Sequence, residues 1–192
     1  APCPARAPAV TFPAFRALQA PFTGHGESRG WPQWPSESRH PASPGVISFR
    51  EANENAVDFH RWMQFELDRQ LASAAARAHK SGLGIGIYQD LAIGAARDSA
   101  DVWAFGHLFL TGVSVGAPPD GYAPQGHNWG LPPIDPRQLA EDRYVFWISS
   151  CLASSRHALP PRIDPLSLPF PILSCHLGCS GRPPPVPVSS SP

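Results

Sequence analysis

A few residues in this chain are of types and spacings that can do chemistry: Asp90, Asp120, His127, Asn128, Trp129, Arg162 and Asp164. Arg162 and Asp164 stand two apart, so in a strand they share a face, and the guanidinium would keep the carboxylate ionised and oriented. By itself Arg-Xaa-Asp also has the form of a surface ion pair. Asp90 closes a short apolar run, where an acid is either a functional group at a strand end or a helix cap. Asp120, Asn128 and Trp129 fall within Val113 to Pro136, VSVGAPPDGYAPQGHNWGLPPIDP, a stretch too stiff for a linker and too long for a turn. Pro118, Pro119, Pro132 and Pro133 fix φ there, while Gly116, Gly126 and Gly130 permit turns that a side chain would forbid. Ordered loops of this length usually carry function. A preset loop displaying a carboxylate, an amide and an indole suits a polar ligand with a flat face, as a sugar has.

The elements that must position these groups are partly readable. From Asn55, apolar residues Phe59, Trp62, Met63, Leu67, Leu71, Ala74, Ala75 and Ala78 recur at three- and four-residue steps. The spacing predicts an amphipathic helix of about six turns, capped by Asn55 and ended by Gly82 in a left-handed conformation. Leu83 to Asp90 then alternates Leu83, Ile85 and Ile87 with glycines before its acid. Helix, glycine turn, strand and terminal acid in that order are the local signature of an α/β barrel, whose catalytic groups sit where strands end. The glycines precede and interrupt the strand and lack the G-x-G-x-x-G spacing, so they do not form a nucleotide loop. A short helix is expected from Ser99 through Trp103. Asp135-Pro136 has the form of an N-cap with proline in the first helical position, and Tyr144 to His157 carries another helical stripe.

Composition excludes several classes. Fifteen basic and fifteen acidic residues balance, and Lys80 is the sole lysine, so no basic field exists to hold nucleic acid or an anionic membrane. No stretch approaches the ~20 apolar residues of a membrane span, and APCPARAPAV lacks a signal-peptide core. A cytoplasmic location is expected. Cys3, Cys151, Cys175 and Cys179 are read as reduced thiols. Cys175-His176-Cys179 is too short and isolated for zinc, so no metal is expected. The 25 prolines gather toward both ends, which reads as irregular segments around a folded middle; within residues 1–43 only Phe12 to Leu18 suggests a brief helix. The chain begins at Ala rather than Met, as a piece of a longer polypeptide would.

Gly116-Ala-Pro-Pro-Asp120 and Gly126-His-Asn-Trp-Gly-Leu-Pro-Pro133, preceded by Tyr88-Gln-Asp-Leu-Ala-Ile-Gly94 and followed by Arg162-Ile-Asp164, closely resemble words of the amylomaltases, bacterial 4-α-glucanotransferases. The resemblance covers roughly Phe15 to Asp164 and implies a partial (β/α)8 TIM barrel. Residues 1–54 would then be a Pro-rich, partly helical insert or arm, 55–164 the central portion of the barrel, and 165–192 a Pro/Ser-rich tail that is disordered or out of frame. Trp31 and Trp34 are similar to words in the helical insert of the longer members.

The resemblance further implies that Asp164 is the nucleophile, with Arg162 beside it. Asp90 would line the subsite next to the cleaved bond, and Trp129 would offer a stacking face. Asn128 and Asp120 would brace the loop, and His127, standing where the family commonly has Gln, would lie beside the acceptor site. The partners implied are an α-1,4-glucan donor and a glucose or maltooligosaccharide acceptor, and no cofactor is implied. The family's acid/base Glu and its last essential Asp follow the nucleophile, and Pro165 onward matches nothing there, so this polypeptide alone is expected to be inactive. Two rivals remain at this point: a maltodextrin-binding module on a degenerate barrel, and a polyproline ligand built on Pro183 to Pro187.

Overall fold

The long helix and the glycine that ends it are where local sequence speaks most directly. In the computed structural model, which describes residues 7–23, 30–92, 94–158, 161–162 and 174–176, helix α3 runs Glu54–Lys80. Gly82 adopts φ +85°. Its amide bonds to His79 O at 3.0 Å while that of Leu83 bonds to Ala78 O at 3.2 Å, the paired closure of a Schellman motif. The start differs from expectation. Asn53, not Asn55, is the cap residue, and its side chain turns back to donate to Phe49 O at 2.9 Å. That amide is committed to the end of the preceding helix α2, Pro44–Ala52, so only the Asn53 carbonyl serves α3, accepting from Ala56 and Val57.

The N-terminal region is more regular than its proline content suggests. Helix α1 spans Ala7–Thr23 with Pro13 and Pro21 inside it. Each proline removes a backbone donor, normally a cost of about 3 kcal/mol within a helix. Burial offsets this: Ala14, Phe15, Ala17 and Leu18 are all buried, at three- and four-residue steps. Phe15 and Leu18 join Trp34, Val46 and Trp103 in the main core cluster. Phe15 lies 5.3 Å from the Trp34 ring and 5.4 Å from Trp103, tilted against both, and Phe22 stacks on Trp34 at 5.0 Å. The Trp103 indole N–H, buried with the ring, donates to Ser38 O at 3.0 Å. Residues 31–49 are thus built into the core.

Trp103 belongs to helix α4, Ala100–Ala104, capped as expected by Ser99, whose hydroxyl accepts from Val102 N. A second cluster of Ala95, Val102, Leu108 and Phe109 lies beside the first, with Trp31 packed against both. Helix α5, Pro136–Glu141, starts at Asp135, whose carboxylate accepts from Arg137 N at 2.9 Å. Helix α6, Val145–Ser154, follows a left-handed pair, Arg143 and Tyr144.

Strands are short. Of the expected run from Leu83, only β1, Gln89–Asp90, is paired; Leu83 and Ile85 are exposed and Gly86 takes φ +76°. Glycines at 82, 84 and 86 leave too little side chain to hold that run against a neighbour. β1 pairs in parallel with β4, Pro161–Arg162. The long loop is in part a hairpin: β2, Val113–Ala117, runs antiparallel to β3, His127–Asn128, and on its other edge to β5, Ser174–His176. The tail therefore contributes one strand, while Cys179 and Pro183 to Pro187 lie outside the described residues.

Candidate functional site

Asp90 and Arg162 meet at the carboxyl ends of two parallel strands. The register sets Gln89 opposite Pro161 and Asp90 opposite Arg162, and Leu91 N donates to Arg162 O at 2.9 Å. Arg162 Nε lies 3.2 Å from Asp90 Oδ1, with both side chains more than half exposed. Parallel neighbours need a crossover connection, and here the 70 residues between them supply helices α4, α5 and α6. The sequence suggested Asp164 as the partner of Arg162; among the described residues the guanidinium reaches across to Asp90 on the neighbouring strand. Asp164 lies outside the described residues.

The loop holds the second group. Its base is the hairpin, extended by Trp129 N to Val115 O at 3.0 Å and Val115 N to Leu131 O at 2.7 Å. Asn128 Oδ1 accepts from the buried hydroxyl of Ser114 at 2.6 Å and from Gly130 N at 2.9 Å, so its amide closes the turn beneath Trp129. Asp120 Oδ1 takes the N–H groups of Tyr122 and Ala123 at 2.8 and 2.7 Å, closing the tip. Those donors, Ala123 first and then Tyr122, hold the Asp120 carboxyl below its ordinary pKa, with the nearby His127 adding to the shift. His127 Nε2 stands 3.9 Å from Asp120 Oδ2 across the base of the loop. Gly126, at φ +75°, passes so close to the Ala117 carbonyl that a Cβ would stand 2.7 Å from its oxygen. Trp129 is 43% exposed.

Among the described residues no hydrogen bond or ion pair joins the Asp90–Arg162 pair to this loop. What couples them is packing and one arginine. A Cβ on Gly94, four residues past Asp90, would meet Leu131 Cδ1 at 2.5 Å, so the two segments run in contact there. Arg97 donates through its two terminal nitrogens to Thr111 O and Val113 O, tying the entry of β2 to the segment that follows β1.

Two features escaped the sequence reading. Tyr122, at the braced tip, is 99% exposed, which an aromatic attains only where nothing folds over it. Asp68, inside α3, accepts from Arg156 at 2.9 Å and lies 2.8 Å from His157 Nε2, pinning the exit of α6 to the long helix. A tyrosine between Gly121 and Ala123 is a signal that could have been read; an 88-residue separation could not. Among the described residues no three His, Cys, Asp or Glu groups gather as metal ligands, Cys151 is a free thiol, and no helix is long and apolar enough to cross a membrane.

An acid and an arginine thus stand at one end of two parallel strands, the end where α/β barrels place their functional groups, with a braced aromatic loop beside them. Residues 7–166 match the sequence profile of the 4-alpha-glucanotransferase family, and the chain belongs to that family. It is 44% identical over 134 residues to the 4-alpha-glucanotransferase of Mycobacterium tuberculosis, covering 70% of this chain and 18% of that protein. The enzyme of Haemophilus influenzae is 33% identical over 135 residues, again 70% of this chain and 19% of the relative. The chain thus spans less than a fifth of the length of these curated relatives. Among solved structures, the amylomaltase from Corynebacterium glutamicum superposes with a TM-score of 0.66 at 31% identity, over 83% of this chain and 20% of that one. The amylomaltase from Streptococcus agalactiae in complex with acarbose gives 0.72 over 82% and 32%; at 21% identity it speaks to the fold alone.

Proposed function

We propose that the protein carrying this chain is a retaining 4-α-glucanotransferase working in the cytoplasm. In this reading residues 55–164 are the central portion of a (β/α)8 barrel, 1–54 an insert or arm, and 165–192 a Pro/Ser-rich tail. Its donor is an α-1,4-glucan and its acceptor glucose or a maltooligosaccharide. The Asp164 carboxylate attacks the anomeric carbon as the glycosidic C–O bond breaks, and the departing oxygen takes a proton from a second carboxyl, supplied in the family by a Glu beyond the nucleophile. The acceptor's 4-hydroxyl then attacks the same carbon and gives its proton to that group, and the bond to Asp164 breaks. Two inversions give net retention.

Arg162 holds the nucleophile charged and aimed. Asp90 lines the subsite beside the cleaved bond, and Trp129 and the exposed Tyr122 offer flat faces to sugar rings. His127 borders the acceptor, with Asn128 and Asp120 keeping the loop in shape. Without the proton donor the first step forfeits a factor of about a hundred to ten thousand, so residues 1–192 alone do not turn over. The observation that carries this reading is the family match over residues 7–166 together with Asp90 and Arg162 at the same end of two parallel strands. Incubating the complete gene product with maltotriose tests it: glucose and longer oligosaccharides are expected, and hydrolysis alone or no reaction overturns it.

A further inference from the structure

We infer that the cleft between helices α2 and α3 is an accessory binding site for a neutral polyhydroxy ligand, a stretch of α-1,4-glucan, with Arg50 as its principal donor. The glucan identity rests on the function proposed above. None of the cleft's residues belongs to the long loop or to the Asp90–Arg162 pair. Each helix lends one face: Ile47, Arg50 and Glu51 follow at three- and four-residue steps on α2, and Glu54, Val57 and Arg61 do so on α3. The cleft encloses about 430 Å³, within the roughly 300–1,000 Å³ of small-molecule sites. Asn53 ties its two walls together, since the side-chain amide donates to Phe49 O at 2.9 Å while the carbonyl accepts from Ala56 and Val57.

The observation that points to a ligand is the Nε–H of Arg50, which is buried and has no hydrogen-bond partner among the described residues. A buried donor left unmade is costly, and most such groups find an acceptor. Glu51 is adjacent in sequence and Glu54 about one turn further on, yet neither pairs with Arg50 among the described residues. Arg61 already meets Asp58. The lining carries two guanidiniums and two carboxylates, so an anion is repelled by Glu51 and Glu54 and a cation by Arg50 and Arg61. A hydroxyl suits both, because it accepts from arginine and donates to glutamate. Adjacent hydroxyls on a sugar ring match the parallel donors along one edge of a guanidinium. Val57, which is buried, and Ile47 supply apolar surface for the ring's C–H face.

The test is hydrogen–deuterium exchange read by mass spectrometry on the complete gene product, titrated with maltoheptaose and, separately, with inorganic phosphate and glycine betaine. Turnover only redistributes glucan chain lengths, so ligand stays present throughout. Maltoheptaose is expected to slow exchange in peptides covering residues 44–61, and the other two probes are not. Arg50→Met is expected to raise the maltoheptaose needed for half of that slowing by roughly tenfold, as loss of a hydrogen bond to a charged donor predicts. Its Tm should not fall, because the Arg50 Nε–H bonds to nothing that the substitution removes. Glu51→Ala, on the same wall, is expected to weaken the response in the same direction. Four results overturn the inference: no slowing at 44–61, slowing that survives both substitutions, slowing by phosphate, or slowing by the zwitterion. A segment already slow without glucan and unchanged by it overturns it too, since another part of the protein then fills the cleft. Maltotriose disproportionation by the parent separates this from the reading beneath it. Its absence sinks the glucanotransferase proposal, whereas turnover without a response at 44–61 sinks only the accessory site.

Discussion

Gly126 and Gly94 both stand against crowded atoms, yet the same substitution should affect them differently. At Gly126 an added Cβ meets the Ala117 carbonyl oxygen at 2.7 Å and the backbone is left-handed, so neither the contact nor the φ can relax. Gly126→Ala should cost about 1–2 kcal/mol for the backbone alone and open the hairpin, read as a lower Tm and weaker glucan binding. At Gly94 the obstacle is the tip of Leu131, which can rotate away, so Gly94→Ala should shift Tm little. Equal losses at the two sites would contradict this account of the loop. Removing Tyr122 should leave Tm unchanged, because a side chain 99% exposed packs against nothing, and still weaken glucan affinity by up to roughly tenfold. Trp129→Ala should weaken it similarly but with some loss of stability, since that ring is 43% exposed. At this scale the types and spacing within Gly116 to Trp129 announced a built loop, because Pro and Gly state their φ preferences locally. The pairing of Arg162 with Asp90 was hidden, because strand register is settled by the whole fold.

Helices α3 and α6 show what the element scale decides. Their joint is the Asp68 cluster, in which hydrogen bonds from His157 first and Arg156 next hold the Asp68 carboxyl below its ordinary pKa. A depressed folded value means that the contribution is present above the unfolded carboxylate pKa, about 4, and is lost as pH falls through the folded one. A thermal-unfolding series across that acid range should therefore show a fall in Tm that Asp68→Asn reduces, while both proteins keep parallel curves near neutrality. Identical acid limbs would remove Asp68 from the joint. Helix α3 was legible because period and terminator agree along its length. Helix α1 was not, because Pro13 and Pro21 argue locally against a helix that burial of Phe15 and Leu18 stabilises from outside. The left-handed Arg143–Tyr144 link carries no glycine to advertise it. The strand from Leu83 was overextended because alternation was read without knowing that only Gln89 and Asp90 have a partner among the described residues.

Across the whole molecule, the predicted apolar stripe of α3 is only partly covered: Phe59, Trp62 and Leu67 are each more than half exposed, as is Phe65 outside the stripe, while Met63 and Leu71 are half-buried and among the helix's residues only Val57 is buried. Exposed aromatics such as Phe59 and Trp62, whose rings stack 6.2 Å apart, drive association. Residues 1–192 produced alone should self-associate in a concentration-dependent way, and Trp62→Glu with Phe65→Glu should lower the apparent mass in sedimentation while preserving helix content. A monomer at all concentrations would show that the stripe is covered in solution. The proposed barrel has the same character, since the described strands form two small sheets rather than a closed one. The claim on which the account turns is that Asp164 carries the transferred sugar. Treating the complete gene product with a maltosyl fluoride that lacks the accepting 4-hydroxyl, then mapping its peptides by mass spectrometry, reads that directly. The account predicts a glycosyl mass on the peptide holding Asp164 that vanishes when a fresh acceptor is added; turnover with no adduct, or an adduct on another residue, would contradict it.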